Sequence, residues 1–235
     1  MGNIKTNSLN VVIPMAGLGQ RFKKAGYKLP KPFIDVEGMP MIDAVVKNLD
    51  IPANYYFIVL DEHYELFNFN NSLRGAVITT NGLTEGAACS VLLAEEHIDN
   101  DIPLLIANSD QILSWDSSEF ISKSAKDGSI VTFNDSDPKW SYARVENNLI
   151  KEVAEKKVIS NNATSGVYYW NKGKDFVYYS KQMISKDIRV NDEFYVCPVY
   201  NEAIKDGLEF NCYHIDKMYG IGTPEDLKNY LKRNV

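Results

Sequence analysis

Apolar runs alternate with segments of helical periodicity through the first half of the chain. The apolar runs, each closed by turn residues, predict strands over residues 9–13, 55–60, 76–80 and 103–107. Apolar positions at helical spacing predict helices over 41–49 and 86–97, and a short helix from Glu62. This β-α-β order predicts an α/β fold in which a mainly parallel sheet carries helices on both faces.

The second half of the chain has a higher proportion of predicted strands. Strands are predicted over 130–133, 143–145, 167–170 and 210–215, and helices over 172–184, 198–204 and 224–231. Thr223 and Pro224 form a typical helix start, with a capping hydroxyl followed by a residue that has no N–H to satisfy. We find no repeat, linker or low-complexity stretch, so one domain over residues 1–235 is predicted.

Composition excludes several classes of protein. The chain has 235 residues, 45% of them hydrophobic, which is typical of a folded domain. No apolar stretch is long enough to span a bilayer, and the start lacks the apolar core of a signal peptide, so we expect a cytoplasmic protein without a membrane partner. The net charge of −6 argues against nucleic-acid binding. The three cysteines have no metal-type spacing.

A glycine-bearing loop follows the first predicted strand. Gly17 and Gly19 allow a phosphate to approach the loop backbone, and Arg21 and Lys31 place two cations downstream. The loop does not match a Walker motif. The third glycine of a dinucleotide fingerprint is also absent, because Phe22 stands in its place. The pattern therefore indicates phosphate binding of another kind.

Two motifs around this loop resemble a known family. Ala-Gly-x-Gly-x-Arg-Phe from Ala16, followed by Pro-Lys-Pro around Lys31, resembles the sugar-1-phosphate nucleotidyltransferases, which include phosphocholine-type cytidylyltransferases. Gly-Thr-Pro-Glu-Asp at 222–226 matches a later family motif. The resemblance implies a Rossmann-like three-layer α/β/α fold with a mixed sheet. It also implies a nucleotide-binding half over about 1–135 and an acceptor-binding half over about 136–235.

The resemblance also implies site residues and ligands. A nucleoside triphosphate and a phosphorylated small-molecule acceptor would bind, Arg21 would stabilise departing pyrophosphate, and Lys31 would bridge the α-phosphate and the attacking phosphate. The nucleotide-binding residues implied are Ala16, Gly17, Leu18, Gly19, Thr84, Glu85, Gly86 and Asn108. The acceptor-binding residues implied are Lys156, Ser165, Gly166 and Glu193.

A magnesium site is expected at the end of the fourth predicted strand. In the family an aspartate at the position of Asp110 holds Mg²⁺; capping of a following helix is the alternative interpretation of Asp110. The family's second metal-binding aspartate falls at Gly220 in this chain. Asp216, on the same face of a regular strand, is the candidate substitute.

Other functions stay open at this point. A CTP-dependent enzyme acting on a phospho-alcohol or phospho-amide fits the same motifs. A glycosyltransferase of related fold would need an Asp-x-Asp metal motif, and Asp135-Ser136-Asp137 has that form, although Pro138 favours a turn. A non-catalytic nucleotide-binding module is favoured only by the missing aspartate. Neither the base, nor the acceptor, nor assembly with further copies of the chain follows from the sequence.

Overall fold

The computed structural model describes residues 9–69 and 75–233, which contain thirteen strands and nine α-helices. The strands are β1 (Asn10–Pro14), β2 (Asp35–Val36), β3 (Met39–Pro40), β4 (Asn54–Leu60), β5 (Ala76–Thr80), β6 (Leu104–Ala107), β7 (Gln111–Ser114), β8 (Gly128–Asn134), β9 (Tyr142–Glu146), β10 (Leu149–Ala154), β11 (Asn162–Trp170), β12 (Phe210–His214) and β13 (Lys217–Gly220). The helices are α1 (Gln20–Lys24), α2 (Met41–Leu49), α3 (Tyr64–Phe69), α4 (Ala87–Leu92), α5 (Glu95–Ile98), α6 (Ser117–Ser122), α7 (Gly173–Ser185), α8 (Val199–Lys205) and α9 (Pro224–Lys232).

A nine-stranded sheet forms the centre of the fold. Along one path its order is β10-β9-β11-β6-β1-β4-β5, and β8 pairs with both β11 and β12. β1 runs parallel to β4 and β6, and β4 runs parallel to β5, whereas β11 is antiparallel to β6 and β8. The loops after β1 and β6 therefore lie at the same edge of the sheet, where ligands of parallel α/β proteins bind.

The central strands are apolar on both faces, which explains their continuous hydrophobic runs. Val11 and Ile13 of β1 point into one core cluster, and Val12 points into a second cluster on the opposite face. Residues of β6 divide in the same way, with Leu105 in the first cluster and Ile106 in the second. One sheet lies between two apolar layers, so the predicted α/β class is confirmed, with a mixed sheet whose central strands are mostly parallel.

Some predicted elements differ in the structure. The helix predicted over 86–97 is two short helices, α4 and α5, and the strand predicted over 210–215 ends at His214. The elements that the sequence does not predict include α6, β10 and the short strands β2, β3, β7 and β13. These short strands have two to four residues, too few for a clear period. The start of α9 is confirmed, since Thr223 Oγ1 accepts from the backbone N–H of Asp226 at 3.1 Å and Pro224 follows the cap. In the described residues, every helix is too short or too polar to cross a membrane.

A buried carboxylate in α8 carries the first testable prediction. Glu202 is 2% exposed and accepts from Lys186 Nζ and Lys205 Nζ, each at 2.5 Å. Burial raises the pKa of Glu202, but the two lysine hydrogen bonds outweigh it, so the net pKa is lowered. The ion pairs therefore stabilise the fold above the unfolded-state pKa of about 4.5 and lose that contribution as pH falls through the lower folded-state pKa.

Replacing this carboxylate should lower stability only where it is ionised. We expect Glu202→Gln to lower the free energy of unfolding by about 1–3 kcal/mol at neutral pH, because the amide replaces two charge-assisted hydrogen bonds. Below the folded-state pKa of Glu202 the difference from wild type should shrink. Urea unfolding of both proteins between pH 3 and 7 measures it, and a difference that does not change with pH would contradict the assignment.

Candidate functional site

The loop at residues 15–19 connects β1 to α1 at the binding edge of the sheet. Gly19 has a φ of +58°, and a Cβ built there would lie 3.0 Å from Cβ of Lys31. Glycine at this position therefore permits both the left-handed backbone and the close packing of the Lys31 segment. A Cβ built on Gly17 would have no heavy atom within 4 Å, so the loop is open to a ligand at that residue.

Lys31 and Asp110 form an ion pair between two distant segments. Lys31 begins a turn of 3-10 helix between Pro30 and Pro32, and Asp110 lies in the turn between β6 and β7. The distance from Lys31 Nζ to Asp110 Oδ2 is 2.5 Å, and the side chains are 21% and 23% exposed. The capping interpretation of Asp110 is wrong, because a strand and not a helix follows it.

A cavity of about 670 Å³ surrounds this ion pair. Its lining combines the loop at 15–19, the Lys31 turn, the turn after β6 and the end of β13. The charged residues that line it are Arg21, Lys31, Asp110, Lys139, Lys156 and Asp226, and the lining glycines are Gly17, Gly19, Gly220 and Gly222. Four cations against two carboxylates make the cavity suited to an anionic ligand.

The end of β13 holds Asp110 in place. Gly220 of β13 pairs with Gln111 of β7, and the N–H of Ile221 donates to the carbonyl of Asp110 at 2.8 Å. A Cβ built on Gly222 would lie 2.3 Å from Asp110 Oδ2. Only glycine therefore fits beside the carboxylate as it stands in this structure.

Asp216, the candidate second metal ligand, is exposed and does not line the cavity. It precedes β13, whose first residue pairs with Ser114 and whose last, Gly220, pairs with Gln111 beside the cavity. At about 3.3 Å per residue, Asp216 lies roughly 13 Å along the chain from Gly220. Its position therefore gives the metal prediction no support.

The donor set near Asp110 suits a hard cation that shares its coordination with a ligand. Among residues 9–69 and 75–233, no group of three or more His, Cys, Asp or Glu side chains could hold a metal by itself. Mg²⁺ does not need one, because it keeps several waters and takes one or two carboxylates plus phosphate oxygens. Asp110, in the cradle left by Gly222, fits that requirement.

A bulge in β11 places Ser165 and Gly166 next to the turn after β6. Gly166 has a φ of +80°, and a Cβ there would lie 2.0 Å from Gln111 Oε1. The N–H of Asn108 donates to the carbonyl of Gly166 at 2.9 Å. Ser165 and Gly166 are both buried and do not line the cavity, whereas Gln111 does. The Oε1 of Gln111 is buried and has no hydrogen-bond partner in the described part of the chain.

Of the other predicted acceptor residues, Lys156 lines the cavity and Glu193 does not. Lys156 Nζ donates to Tyr195 Oη and lies 4.4 Å from the centre of the tyrosine ring. The neighbouring Glu155 accepts from the hydroxyl of Ser141, and burial raises its pKa despite that bond. Glu193 is exposed at the end of a turn.

The residues predicted to contact a base are held by other parts of the protein. Gly86 has a φ of +126°, and a Cβ there would lie 2.5 Å from the carbonyl oxygen of Phe194. The N–H of Phe194 donates to the carbonyl of Glu85 at 2.7 Å, and the Glu85 carboxylate pairs with Arg189 at 2.6 Å. Thr84 Oγ1 donates to the carbonyl of Gly86 at 3.0 Å. Packing against Phe194 therefore explains why glycine stands at position 86, and no bound base is needed to explain it.

A smaller cavity, of about 420 Å³, also borders the glycine-bearing loop. It is lined by Leu18, by residues 60–62 and by residues 80–83. Ala16 of the same loop is buried. The segment just before Thr84, and not 84–86, therefore provides the open surface next to the loop.

The residues that line the main cavity without having been predicted as site residues include Gln111, Lys139, Trp140 and Asp226. Asp226 belongs to the matched Gly-Thr-Pro-Glu-Asp segment, so its motif carried a usable signal. Lys139 and Trp140 follow the Asp-Ser-Asp-Pro turn, which by itself does not indicate that its end reaches the cavity.

Comparison with known proteins decides the family. A family model described as nucleotidyl transferase matches residues 10–231, almost the whole chain. The chain belongs to the nucleotidyl transferase family. The resemblance inferred from the glycine-bearing loop and the Pro-Lys-Pro segment is thereby confirmed.

Individual members of the nucleotidyl transferase family are similar over the same length. The bifunctional protein GlmU of Methanococcus aeolicus is 27% identical over 231 residues, which are 93% of this chain and 53% of that protein. The chain thus spans about half the length of the GlmU relatives. The UTP–glucose-1-phosphate uridylyltransferase AglF of Haloferax volcanii is 24% identical, with 93% of both chains covered.

Solved structures agree on the nucleotidyl transferase fold. A nucleoside-diphosphate-sugar pyrophosphorylase from Vibrio cholerae superposes with a TM-score of 0.83 at 23% identity, covering 94% of this chain and 99% of that one. At that identity the likeness shows the fold.

Proposed function

We propose that the chain transfers a nucleoside monophosphate from a nucleoside triphosphate to a sugar 1-phosphate and releases pyrophosphate. The observation that carries the proposal is the cavity in which the glycine-bearing loop, Arg21, Lys31, Asp110 and Lys156 meet. The relative AglF, named for glucose 1-phosphate, supports a sugar phosphate as the acceptor. The product, a nucleotide-activated sugar, serves surface glycan synthesis.

Charge neutralisation and positioning make up the proposed chemistry. The acceptor phosphate attacks the α-phosphorus, and pyrophosphate leaves in line. The backbone at Gly17 and Gly19 binds the triphosphate, and Arg21 stabilises the leaving pyrophosphate. Lys31 neutralises the α-phosphate as charge develops on it, which is where a fixed ammonium lowers the barrier most. Lys156, which lines the same cavity, binds the acceptor phosphate.

Asp110 has two roles in this proposal. It holds Mg²⁺, which when bound offsets the negative charge of the triphosphate. Without nucleotide it pairs with Lys31, so the lysine ammonium is kept in the cavity at the place where phosphate binds. The substrate phosphates then compete with Asp110 for Lys31.

The geometry argues against the glycosyltransferase alternative. Asp135 Oδ1 accepts from the N–H groups of Ser136 and Asp137, at 2.6 and 2.7 Å, and Asp137 Oδ1 accepts from Lys139 N–H at 3.0 Å. The two carboxylates fold a turn, as expected from Pro138, instead of facing a shared metal.

Pyrophosphate release tests the proposed function. The protein is incubated with Mg²⁺, one of ATP, CTP, GTP, UTP or dTTP, and one of a panel of sugar 1-phosphates, phosphocholine or phosphoethanolamine. We expect release that depends on both a triphosphate and a sugar 1-phosphate. Release with phosphocholine alone would instead favour the cytidylyltransferase alternative, and no release with any pair would contradict transfer altogether.

Gly222 provides a prediction about the position of Asp110. We expect Gly222→Ala to lower kcat about 10²-fold, because the added Cβ displaces the carboxylate and misplacement by about 1 Å costs that much. Gly220→Ala is the matched control on the same segment: its Cβ would lie at an ordinary 3.4 Å from Trp140 Cη2. Steady-state kinetics with thermal unfolding as a folding check measures both, and equal effects of the two variants would contradict the prediction.

A further inference from the structure

The turn at residues 135–140 is held by hydrogen bonds and ends at the main cavity. Its two aspartate side chains are used in backbone hydrogen bonds within the turn. Tyr142, at the start of β9, donates from its hydroxyl to the carbonyl of Asp137 at 2.7 Å. The turn therefore presents the two residues that follow Pro138, Lys139 and Trp140, in a fixed orientation.

Trp140 is held from three sides. Its indole N–H donates to Asp135 Oδ2 at 3.2 Å, and its ring packs edge-on against Phe133 with centroids 5.6 Å apart. Gly220 lines the same cavity, and a Cβ built on it would lie 3.4 Å from Trp140 Cη2. A side chain longer than alanine at 220 would push the ring away. The half-buried ring thus forms a flat apolar surface in a cavity otherwise rich in cations.

Two ammonium groups accompany this ring. Lys139 Nζ lies 4.7 Å from the centre of the Trp140 ring and 3.4 Å from Asp137. Lys156 lines the same cavity. A cationic head group approaching the ring would therefore meet like charge, whereas a neutral body with an attached phosphate would not.

We infer that Lys139 and Trp140 form the acceptor-specificity wall, which binds a phosphorylated acceptor with a neutral body and discriminates against quaternary ammonium or amine acceptors. This inference rests on the proposed transfer reaction and names its acceptor class. The apolar face of a pyranose packs on the Trp140 ring, and Lys139 and Lys156 face its phosphate and hydroxyl groups. Gly220 lies next to this wall, and a side chain longer than alanine there would displace the ring.

The KM for the acceptor tests this wall. We expect Trp140→Ala to raise the KM for the sugar 1-phosphate used most efficiently about tenfold, with the KM for the triphosphate unchanged, whereas Trp140→Phe keeps most of the affinity. Lys139→Ala should narrow the discrimination between that sugar 1-phosphate and phosphocholine. Lys126→Ala, an exposed lysine outside the cavity, is the control. An unchanged acceptor KM in Trp140→Ala overturns the inference and leaves the transfer reaction standing.

Two further measurements keep the inference testable if Trp140→Ala does not fold or turnover is absent. Gly220→Leu should raise the same KM by displacing the indole ring, and its effect should be much smaller in a Trp140→Phe background, which lacks the Cη2 atom nearest to residue 220. An equal effect in both backgrounds would show that the ring is not the group displaced. In a Trp115→Phe background, in which Trp140 and the fully buried Trp170 remain, glucose 1-phosphate should change the tryptophan fluorescence, and phosphocholine should not. The change should be absent from a Trp115→Phe/Trp140→Phe protein, which assigns it to Trp140. Equal responses to both compounds overturn the inference even without turnover.

Discussion

Lys31→Ala is expected to lower kcat for pyrophosphate release about 10²–10³-fold, the usual cost of removing one preorganised group that stabilises transition-state charge. The structure places the Lys31 ammonium 2.5 Å from Asp110, inside the cavity lined by the glycine-bearing loop. The flanking prolines restrict the backbone that aims this side chain. The other two lysines that line the cavity have their own partners, because Lys139 pairs with Asp137 and Lys156 donates to Tyr195.

The folding cost of this variant should be small. The ion pair is about one-fifth exposed on each side, and the Asp110 carboxylate left behind can be hydrated. Lys28→Ala is the matched control, an exposed lysine in the same segment that does not line the cavity. Steady-state kinetics together with thermal unfolding separates the two effects. Wild-type kcat in a folded Lys31→Ala protein would refute the catalytic role.

The centre of the fold was predictable because its signals are local. β1 and β6 are apolar on both faces, and the turn residues that follow them come to one edge of a parallel sheet, so the proximity of Lys31 and Asp110 to the glycine loop follows from strand order. The Thr223 cap is likewise contained within a few residues.

The predictions that the structure does not support concern residues whose surroundings depend on contacts between distant segments. Asp216 was placed on one continuous strand with Gly220, but the chain changes partner there: β12 pairs with β8 and ends at His214, and β13 pairs with β7. The motif predicts that Gly86 lets a nucleobase approach, but the backbone of Phe194, more than one hundred residues later, occupies the space beside it. Neither the pairing of β13 with β7 nor the packing of Phe194 against Gly86 produces a periodic pattern in the sequence.

The proposed acceptor-specificity wall of Lys139 and Trp140 also depends on contacts between distant segments, so the sequence does not predict it. Trp140 reaches the cavity only because Asp135 and Phe133 orient its ring and Gly220 leaves space opposite it. A lone tryptophan after a proline turn predicts none of this. The Lys139 and Trp140 side of the cavity is therefore assembled by contacts between distant segments, whereas the glycine-bearing loop and the Lys31 turn are encoded within residues 15–32.

Asp110→Asn is the second variant with a large expected effect, a fall in kcat of about 10³-fold or more. The amide keeps the size of the side chain but removes the charge that the proposed Mg²⁺ site and the ion pair with Lys31 both need. We expect a much higher Mg²⁺ concentration for half-maximal activity, and weaker binding of Mn²⁺ in the presence of triphosphate when measured by electron paramagnetic resonance.

Asp216→Asn separates a one-carboxylate site from a two-carboxylate site. Asp216 is exposed and outside the cavity, so its variant should keep the Mg²⁺ dependence and Mn²⁺ affinity of the wild type. Asp110 would then be the protein's carboxylate ligand, with phosphate oxygens and water completing the coordination. If Asp216→Asn weakens Mn²⁺ binding as much as Asp110→Asn does, the segment between β12 and β13 must move to the cavity when nucleotide binds, and the single-carboxylate site is wrong.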